Sequence, residues 1–451
     1  MRRLTIPTLI LSLLATAQSD AAALKPHPLD IPVGTVPNGF VVLRNGTEAY
    51  VSWGEEGAVS GDKGLIFDVA TGRVLREADN GRADGRGVEL LSDGWSARSR
   101  DSQSTPLVLT EKINSTNEQT DPVRVRDAVD GRVIGELLKS ERPLAAARQA
   151  DGLLLLSGGQ AILPGADKAA YTLRFWVPAS DKPRWSIDIP AGDATGANKD
   201  FVDAAVTLSP DGRWVTAIRD KVVHLIDTAT GTRRAVDVDR GDGPGAVGFS
   251  PDGSRLYVAG GNYQIAVHGL PDLMLQRRIA VPDQFTARHI VEHEGGKLLE
   301  LEGRRQTMFL DPATSQFIRH DRGGSISSYR LAWIGNGNIL RASKSRTNPV
   351  TYGVYKHENG KFRLLYRREW KGGSMSALTW SPNGRCILMS GGRKTMIMGP
   401  LTGGEVVPLE VKGEALASAA FARGGRVLLA HEAEGKVLSY AMPAQCHTKS
   451  E

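Results

Sequence analysis

The chain has 451 residues, 41% of them apolar, 24% charged and only 6% aromatic, with 51 glycines and a formal net charge of +6. That composition suits many short strands joined by tight turns and excludes a disordered body. Past the N-terminus no stretch approaches the roughly 20 apolar residues of a membrane-spanning helix, and so modest a charge argues against a nucleic-acid partner.

The chain opens on Met1-Arg2-Arg3, an apolar run from Leu4 to Ala15, and the small-residue site Ala15-Thr16-Ala17. A charged start, a short apolar core and an Ala-x-Ala site predict a secretory signal over residues 1–17, cut after Ala17, and hence a periplasmic or secreted protein. Residues 18–37 form a proline-bearing lead-in with Pro26, Pro28, Pro32 and Pro37, and residues 444–451 form a C-terminal tail.

Between them, over 38–443, nine units can be marked, each with a strand, a turn, a β-rich strand and a third strand ending in another turn. The weakest units leave eight or seven as alternatives. The first turns fall at Asn45-Gly46, Asp93-Gly94, Asp151-Gly152, Asp211-Gly212, Asp252-Gly253, Gly295-Gly296, Gly335-Asn336, Asn383-Gly384 and Gly424-Gly425. Such pairs accept positive φ at little cost, as hairpin turns require. Second turns include Ala70-Thr71-Gly72, Val129-Asp130-Gly131, Ala229-Thr230-Gly231, Asn359-Gly360 and Thr402-Gly403-Gly404. Between turns the alternation is strand-like, as from Gly64 to Val69 and from Lys221 to Ile226, and no window carries a long helical period. Polar insertions at Ser115 to Thr120 and Gly192 to Lys199 read as loops. The last unit, Ala415 to Met442, is one strand short, a gap the N-terminal segment is expected to fill so that no edge is left open.

The clearest copies are Val206-Thr-Leu-Ser-Pro-Asp-Gly-Arg213 and Val247-Gly-Phe-Ser-Pro-Asp-Gly-Ser254, whose Ser-Pro-Asp-Gly turns begin 41 residues apart at Ser209 and Ser250. A third is Trp380-Ser-Pro-Asn-Gly384. Periods of about 40–45 residues with several short strands per unit are the signature of propeller blades. The expected fold is therefore all-β, a single closed β-propeller of four-stranded antiparallel blades. The phrases Phe249-Ser-Pro-Asp-Gly-Ser-Arg-Leu-Tyr-Val258 and Leu225-Ile-Asp-Thr-Ala-Thr-Gly231 resemble the repeats of the YVTN and WD40-like propeller families. The Gly-His and Trp-Asp dipeptides of WD40 repeats are missing, so the buried polar network they carry is expected to be missing too. The resemblance implies a fold; such rings serve as enzymes, binding modules and scaffolds.

Motifs with dedicated chemistry are scarce. The sequence has no Cys-x-x-Cys-His haem site, no Gly-x-Ser-x-Gly elbow, no phosphate-cradling loop and no zincin helix. His289 and His293, with Glu292 and Glu294 beside them, would offer a metal two imidazoles and a carboxylate if one strand ran through both. His293 aligns with turn residue Pro251, which predicts that it does not. Asp237, Asp239 and Asp242 approximate a calcium loop but are spaced one residue too widely. No metal and no cofactor is expected, and His224 and His268 read as surface or packing residues. In an oxidising compartment Cys386 and Cys446 can bridge; alternatively Cys386 is a small buried apolar residue and Cys446 is free in the tail.

Two basic features point to ligands. Aligning the units places Ala205, Ala246, Arg288, Arg330, Ala377 and Ser418 at equivalent points of the innermost strand. Arg288 and Arg330, on adjacent blades and accompanied by His289 and Tyr329, would form an anion site at the channel, unless each pairs with a carboxylate from another blade. The second feature is the stretch from Arg341 to Lys371, with 9 basic and 2 acidic residues, among them Arg341, Lys344, Arg346, Arg363, Arg367 and Arg368. From Asp30 to Asp101 the balance is reversed, 12 acidic to 8 basic. A basic sector suits an acidic protein, an anionic glycan or a lipid headgroup; the alternative is a solvated blade face.

The sequence thus predicts an exported, non-enzymatic ring that binds a partner protein or an anionic envelope ligand. The alternative, implied by the resemblance to propeller families that include such proteins, is an enzyme. One version is a lactonase-like hydrolase using Arg288, His289 and Arg330 to stabilise an oxyanion. The other is the propeller subunit of a quinone-cofactor dehydrogenase, which would need a small cysteine-rich partner because this chain has only two cysteines.

Overall fold

The computed structural model describes the strands and most of their connections between residues 25 and 446. Residues 1–24, 55–62, 80–90, 93–105, 113–122, 162–169, 190–205, 238–245, 322–330, 344–350, 370–376, 399–405 and 447–451, with shorter stretches at other turns, lie outside the described residues. The expected signal segment, both polar insertions, Asp239 and Asp242 fall there.

Among the described residues the strands form nine four-stranded antiparallel sheets, so the count of nine stands and eight or seven do not. Blades 1 to 8 each take four consecutive strands, over 36–79, 91–137, 141–189, 206–237, 246–280, 289–321, 331–369 and 377–408. First strands of neighbouring blades pack on each other, blade 5 on blade 6 and blade 8 on blade 9 among them, so the first strand of each blade lies innermost and the fourth outermost.

Blade 9 is built from both ends of the chain. Leu416–Ala422, Val427–Glu432 and Val437–Ala441 supply three strands. His27–Leu29 supplies the fourth, antiparallel to Val437–Ala441, with His27 opposite Ser439 and Leu29 opposite Val437. The strand missing from the last unit is thus the N-terminal one. Leu29 and Ile31 bury in one cluster with Val51 and Phe67 of blade 1 and Ala420 and Val437 of blade 9, which joins the last blade to the first.

Turn chemistry explains the repeated phrase. In the first copy Ser209 is fully buried, its hydroxyl donating to Asp211 Oδ1 at 2.5 Å and accepting the Trp214 amide at 2.8 Å. Ser250 does the same with Asp252, at 2.5 Å, and with the Arg255 amide, at 2.9 Å. Ser381 accepts the amides of Arg385 and Cys386 at 3.1 and 2.9 Å. One buried side chain therefore satisfies a backbone amide at the base of the turn and holds the turn's aspartate. The second turn has its own rule: Asp68, Asp227 and Asp311 each accept the amides two and three residues on.

Two glycines are dictated by neighbouring blades. A Cβ at Gly248, in the innermost strand of blade 5, would collide with the Ile290 carbonyl of blade 6. At Gly384, where φ is +65°, a Cβ would strike the Ile334 carbonyl of blade 7. At these two points neighbouring blades approach so closely that the backbone leaves no room for a side chain.

Beyond blade 9 the chain turns through Ala444–Cys446, a short 3-10 segment, and Cys446 is disulfide-bonded to Cys386 of blade 8. Both cysteines are fully buried against Leu388, Leu416 and Tyr440. The bridge spans 60 residues of sequence, worth about 4 kcal/mol by the chain-entropy argument.

Two outcomes follow from these contacts. Leu29→Ala empties a buried position at the junction of blades 9 and 1, and denaturant unfolding should show a loss of about 2–3 kcal/mol; a change within error would mean that the N-terminal strand does not hold the blades together. The hydroxyl of Ser250, helped by the Ser254 amide, lowers the Asp252 carboxyl from 3.8 to about 2. A carboxyl depressed on folding stabilises fully above its unfolded value, and that contribution fades as pH falls through about 2. A carbon-13 NMR titration should find this midpoint, and Ser250→Ala should move it back up.

Candidate functional site

Charge concentrates on blades 5 to 7. In blade 6 the strand His289–His293 alternates, with Ile290 and Glu292 buried and His289, Val291 and His293 less so. Ile290 packs with Tyr257 of blade 5, which places Glu292 on the blade 5 side. Its side chain is fully buried, yet Arg255 Nη2 donates to it at 2.8 Å and the Tyr257 hydroxyl at 2.6 Å. Burial first, and then the bond to Glu292, pushes the Tyr257 phenol above its ordinary range.

The other side of blade 6 meets blade 7 through imidazoles. His293 Nε2 lies 2.9 Å from Glu300 Oε2, and its ring stacks on Trp333 of blade 7 with centroids 4.4 Å apart. From blade 7, His357 places Nε2 2.7 Å from Asp311 Oδ2 and Nδ1 3.4 Å from Glu294 Oε2. Burial raises the Asp311 carboxyl, but the Thr314 amide, His357 and the Ala313 amide together hold it below its ordinary value. A buried histidine–carboxylate pair is therefore present although the WD40 dipeptides are not, built from other positions.

The strand continues through His293, contrary to the alignment with Pro251. At about 3.3 Å per residue His289 and His293 stand about 13 Å apart, too far to share one ion. His268 is buried, with Nδ1 3.0 Å from the Leu273 carbonyl, and His224 is half-buried.

Arg288 directly precedes His289–His293, and Tyr329 and Arg330 directly precede Leu331–Gly335, but all three lie outside the described residues. His289 is half-buried and engaged. Lys344 and Arg346 also lie outside the described residues.

The rest of the basic sector falls on blade 7. Its outermost strand, Lys361–Glu369, leaves Lys361, Arg363, Leu364 and Arg367 exposed. Arg363 lies 3.9 Å from Glu358, and the Arg368 guanidinium sits 5.9 Å from the Tyr366 ring centre. Burial, and then Tyr352, lifts the Tyr366 phenol well above its ordinary range. Arg341, half-buried in the strand Asn338–Ser343, and Arg367 both stand opposite Gly353, one on each side. Beside this strand a cleft of ≈ 500 Å³ opens between blades 6 and 7, lined by Phe317, Ile318, Tyr355 and Phe362, with Gln316 and Lys361 at its margin. Thr314 Oγ1 donates to the Gly360 carbonyl at 2.9 Å across one end.

Sequence reasoning missed Arg255, Tyr257 and His357 as partners of blade 6. Asp311 alone carried a readable signal, since Asp-Pro-Ala-Thr repeats the turn phrases at Asp68 and Asp227. These residues hold blades together; the cleft and the basic edge are what the arrangement offers to a ligand.

The architecture is that of a β-propeller. It is similar to the C-terminal WD40 domain of Sif2 at 13% identity, covering 74% of this chain and 99% of that one, with a TM-score of 0.42. It is also similar to the Myceliophteria thermophila Cps50 (Swd1) β-propeller domain, at 11% identity over 93% and 100% with a TM-score of 0.38. A third likeness is to BamB from Moraxella catarrhalis, at 13% identity over 80% and 95% with a TM-score of 0.40. These likenesses carry no function across. No protein-family model matches the sequence, and no characterised protein matches it by sequence.

Arg255→Met leaves a buried carboxylate with one hydroxyl for company and should cost about 3 kcal/mol. Adding Glu292→Leu should restore most of that loss in denaturant unfolding; additive losses would mean that the two side chains do not depend on each other.

Proposed function

We propose that the protein is an exported, non-enzymatic β-propeller that binds a partner protein or an anionic envelope ligand through the basic edge of blade 7. The observation that carries this reading is the strand Lys361–Glu369, an outermost strand with exposed arginines beside a cleft lined by aromatic and polar side chains alike. Export is supported by the leader-like residues 1–17 and by a disulfide suited to an oxidising compartment. Rings whose repeats read like Phe249 to Val258, in the YVTN manner, are compatible with such a role. Blades fixed by buried ion pairs present their edge preorganised, which lowers the ordering cost of association.

The test is native isolation from the envelope fraction with reversible crosslinking, followed by mass spectrometry. The expected chain begins at Gln18 and carries a protein or glycan near stoichiometry, lost from the Arg363→Gln/Arg367→Gln/Arg368→Gln variant. A chain that keeps residues 1–17, or one recovered alone, contradicts the proposal.

A further inference from the structure

The nine outermost strands do not share charge evenly. Those of blades 4 to 7, Arg233–Asp237, Met274–Ala280, Phe317–Asp321 and Lys361–Glu369, carry nine basic residues against three acidic ones. Those of the other five blades carry one basic residue against four acidic. Arginine pairs recur along the basic half, at Arg233-Arg234, Arg277-Arg278 and Arg367-Arg368.

Exposed apolar groups gather in the same place. Among the described residues the large apolar side chains left open are Tyr263 (39%), Met274 (70%), Leu275 (48%) and Leu364 (45%), all on blades 5 and 7. The cleft between blades 6 and 7 lies between them. Ile339 packs towards blade 6, and by alternation Arg341 faces the same way. Arg367 shares its cross-strand row, so two guanidiniums flank Gly353 on the side where the cleft opens.

We infer that the outer rim of blades 4 to 7 docks an acidic surface of a partner protein, with one apolar side chain of that partner seated in the cleft between blades 6 and 7. The inference rests on the binding role proposed above and names its surface and partner chemistry. The composition separates this occupant from two others. Edge strands protected against aggregation, and surfaces that lie on anionic lipid, use lysine at least as readily as arginine. This rim has eight arginines and one lysine. Arginine, methionine and aromatic residues are enriched in protein interfaces while lysine is depleted, and the guanidinium fork matches a carboxylate. Arg233, Arg277 and Arg367 have no ion pair among the described residues, whereas Arg234 reaches the Pro271 carbonyl at 2.7 Å and Asp272 at 3.7 Å.

The probe is a fluorescent peptide of glutamate and aspartate with one central phenylalanine, titrated by anisotropy onto the full-length protein at low and physiological salt. Saturable binding is expected, weakened at least about tenfold by Arg277→Glu/Arg278→Glu/Arg363→Glu/Arg367→Glu, with the circular dichroism spectrum unchanged. Gln316→Trp, which fills the mouth of the cleft, should weaken this peptide and leave a phenylalanine-free peptide unaffected. Replacing the same four arginines by lysine should also weaken binding several-fold. Equal affinity for the lysine variant, or rim-dependent binding to phosphatidylglycerol vesicles without peptide binding, overturns the inference. In the native isolation a partner retained by the four-glutamate variant overturns the rim while the binding role stands; a wild-type chain with no partner defeats the binding role itself.

Discussion

The antiparallel pairing of His27–Leu29 with Val437–Ala441 is the constraint on which the rest depends. Without it blade 9 would be a sheet of three strands, one short of the other eight. Borrowing the last strand from the first residues places Leu29 and Ile31 in a core shared by blades 9 and 1. The disulfide from Cys446 to Cys386 then ties the segment after blade 9 to blade 8.

Joining the ends has consequences at the centre and at the rim. Towards the centre the innermost strands crowd one another, which is why Gly248 faces the Ile290 carbonyl. Beside that crowding blade 6 carries charge on both sides: Glu292, on its innermost strand, under Arg255 and Tyr257, and Asp311 and Glu294 under His357. Each such pair is costly to bury and costlier to break, so it specifies which blades lie together more than it adds stability. At the rim each of the nine sheets ends, among the described residues, in a strand with one paired side. Edges of that kind must be protected or used, and the arginine content of blades 4 to 7 sets them apart from the acidic edges elsewhere.

Much of the fold was legible because the repeated phrase encodes local physics. Ser209 and Ser250 are spaced to cap the same turn, Asp68 and Asp227 the next one, and the deficit of one strand in the last unit announced the role of the N-terminus. The candidate site was less legible. The basic run from Arg341 to Lys371 was visible as composition, but a run does not say which residues share a face; that needed the register placing Arg341 and Arg367 on either side of Gly353. The pairs Arg255–Glu292 and His357–Asp311 join residues 37 and 46 positions apart on different blades, and no spacing rule connects them. The alignment of His293 with a turn failed for a related reason: blade 6 turns later, at Glu294–Gly296, than the serine-capped blades do.

The most direct measurement is hydrogen exchange on the natively isolated complex and on the same chain freed of its ligand. A ring that binds through its basic rim predicts slowed exchange in the complex over Met274–Ala280 and Lys361–Glu369, with the outermost strands of blades 1 to 3 unchanged. Slowing confined to the innermost strands around His289–His293 and Leu331–Gly335 would contradict the account and return the ligand to the channel.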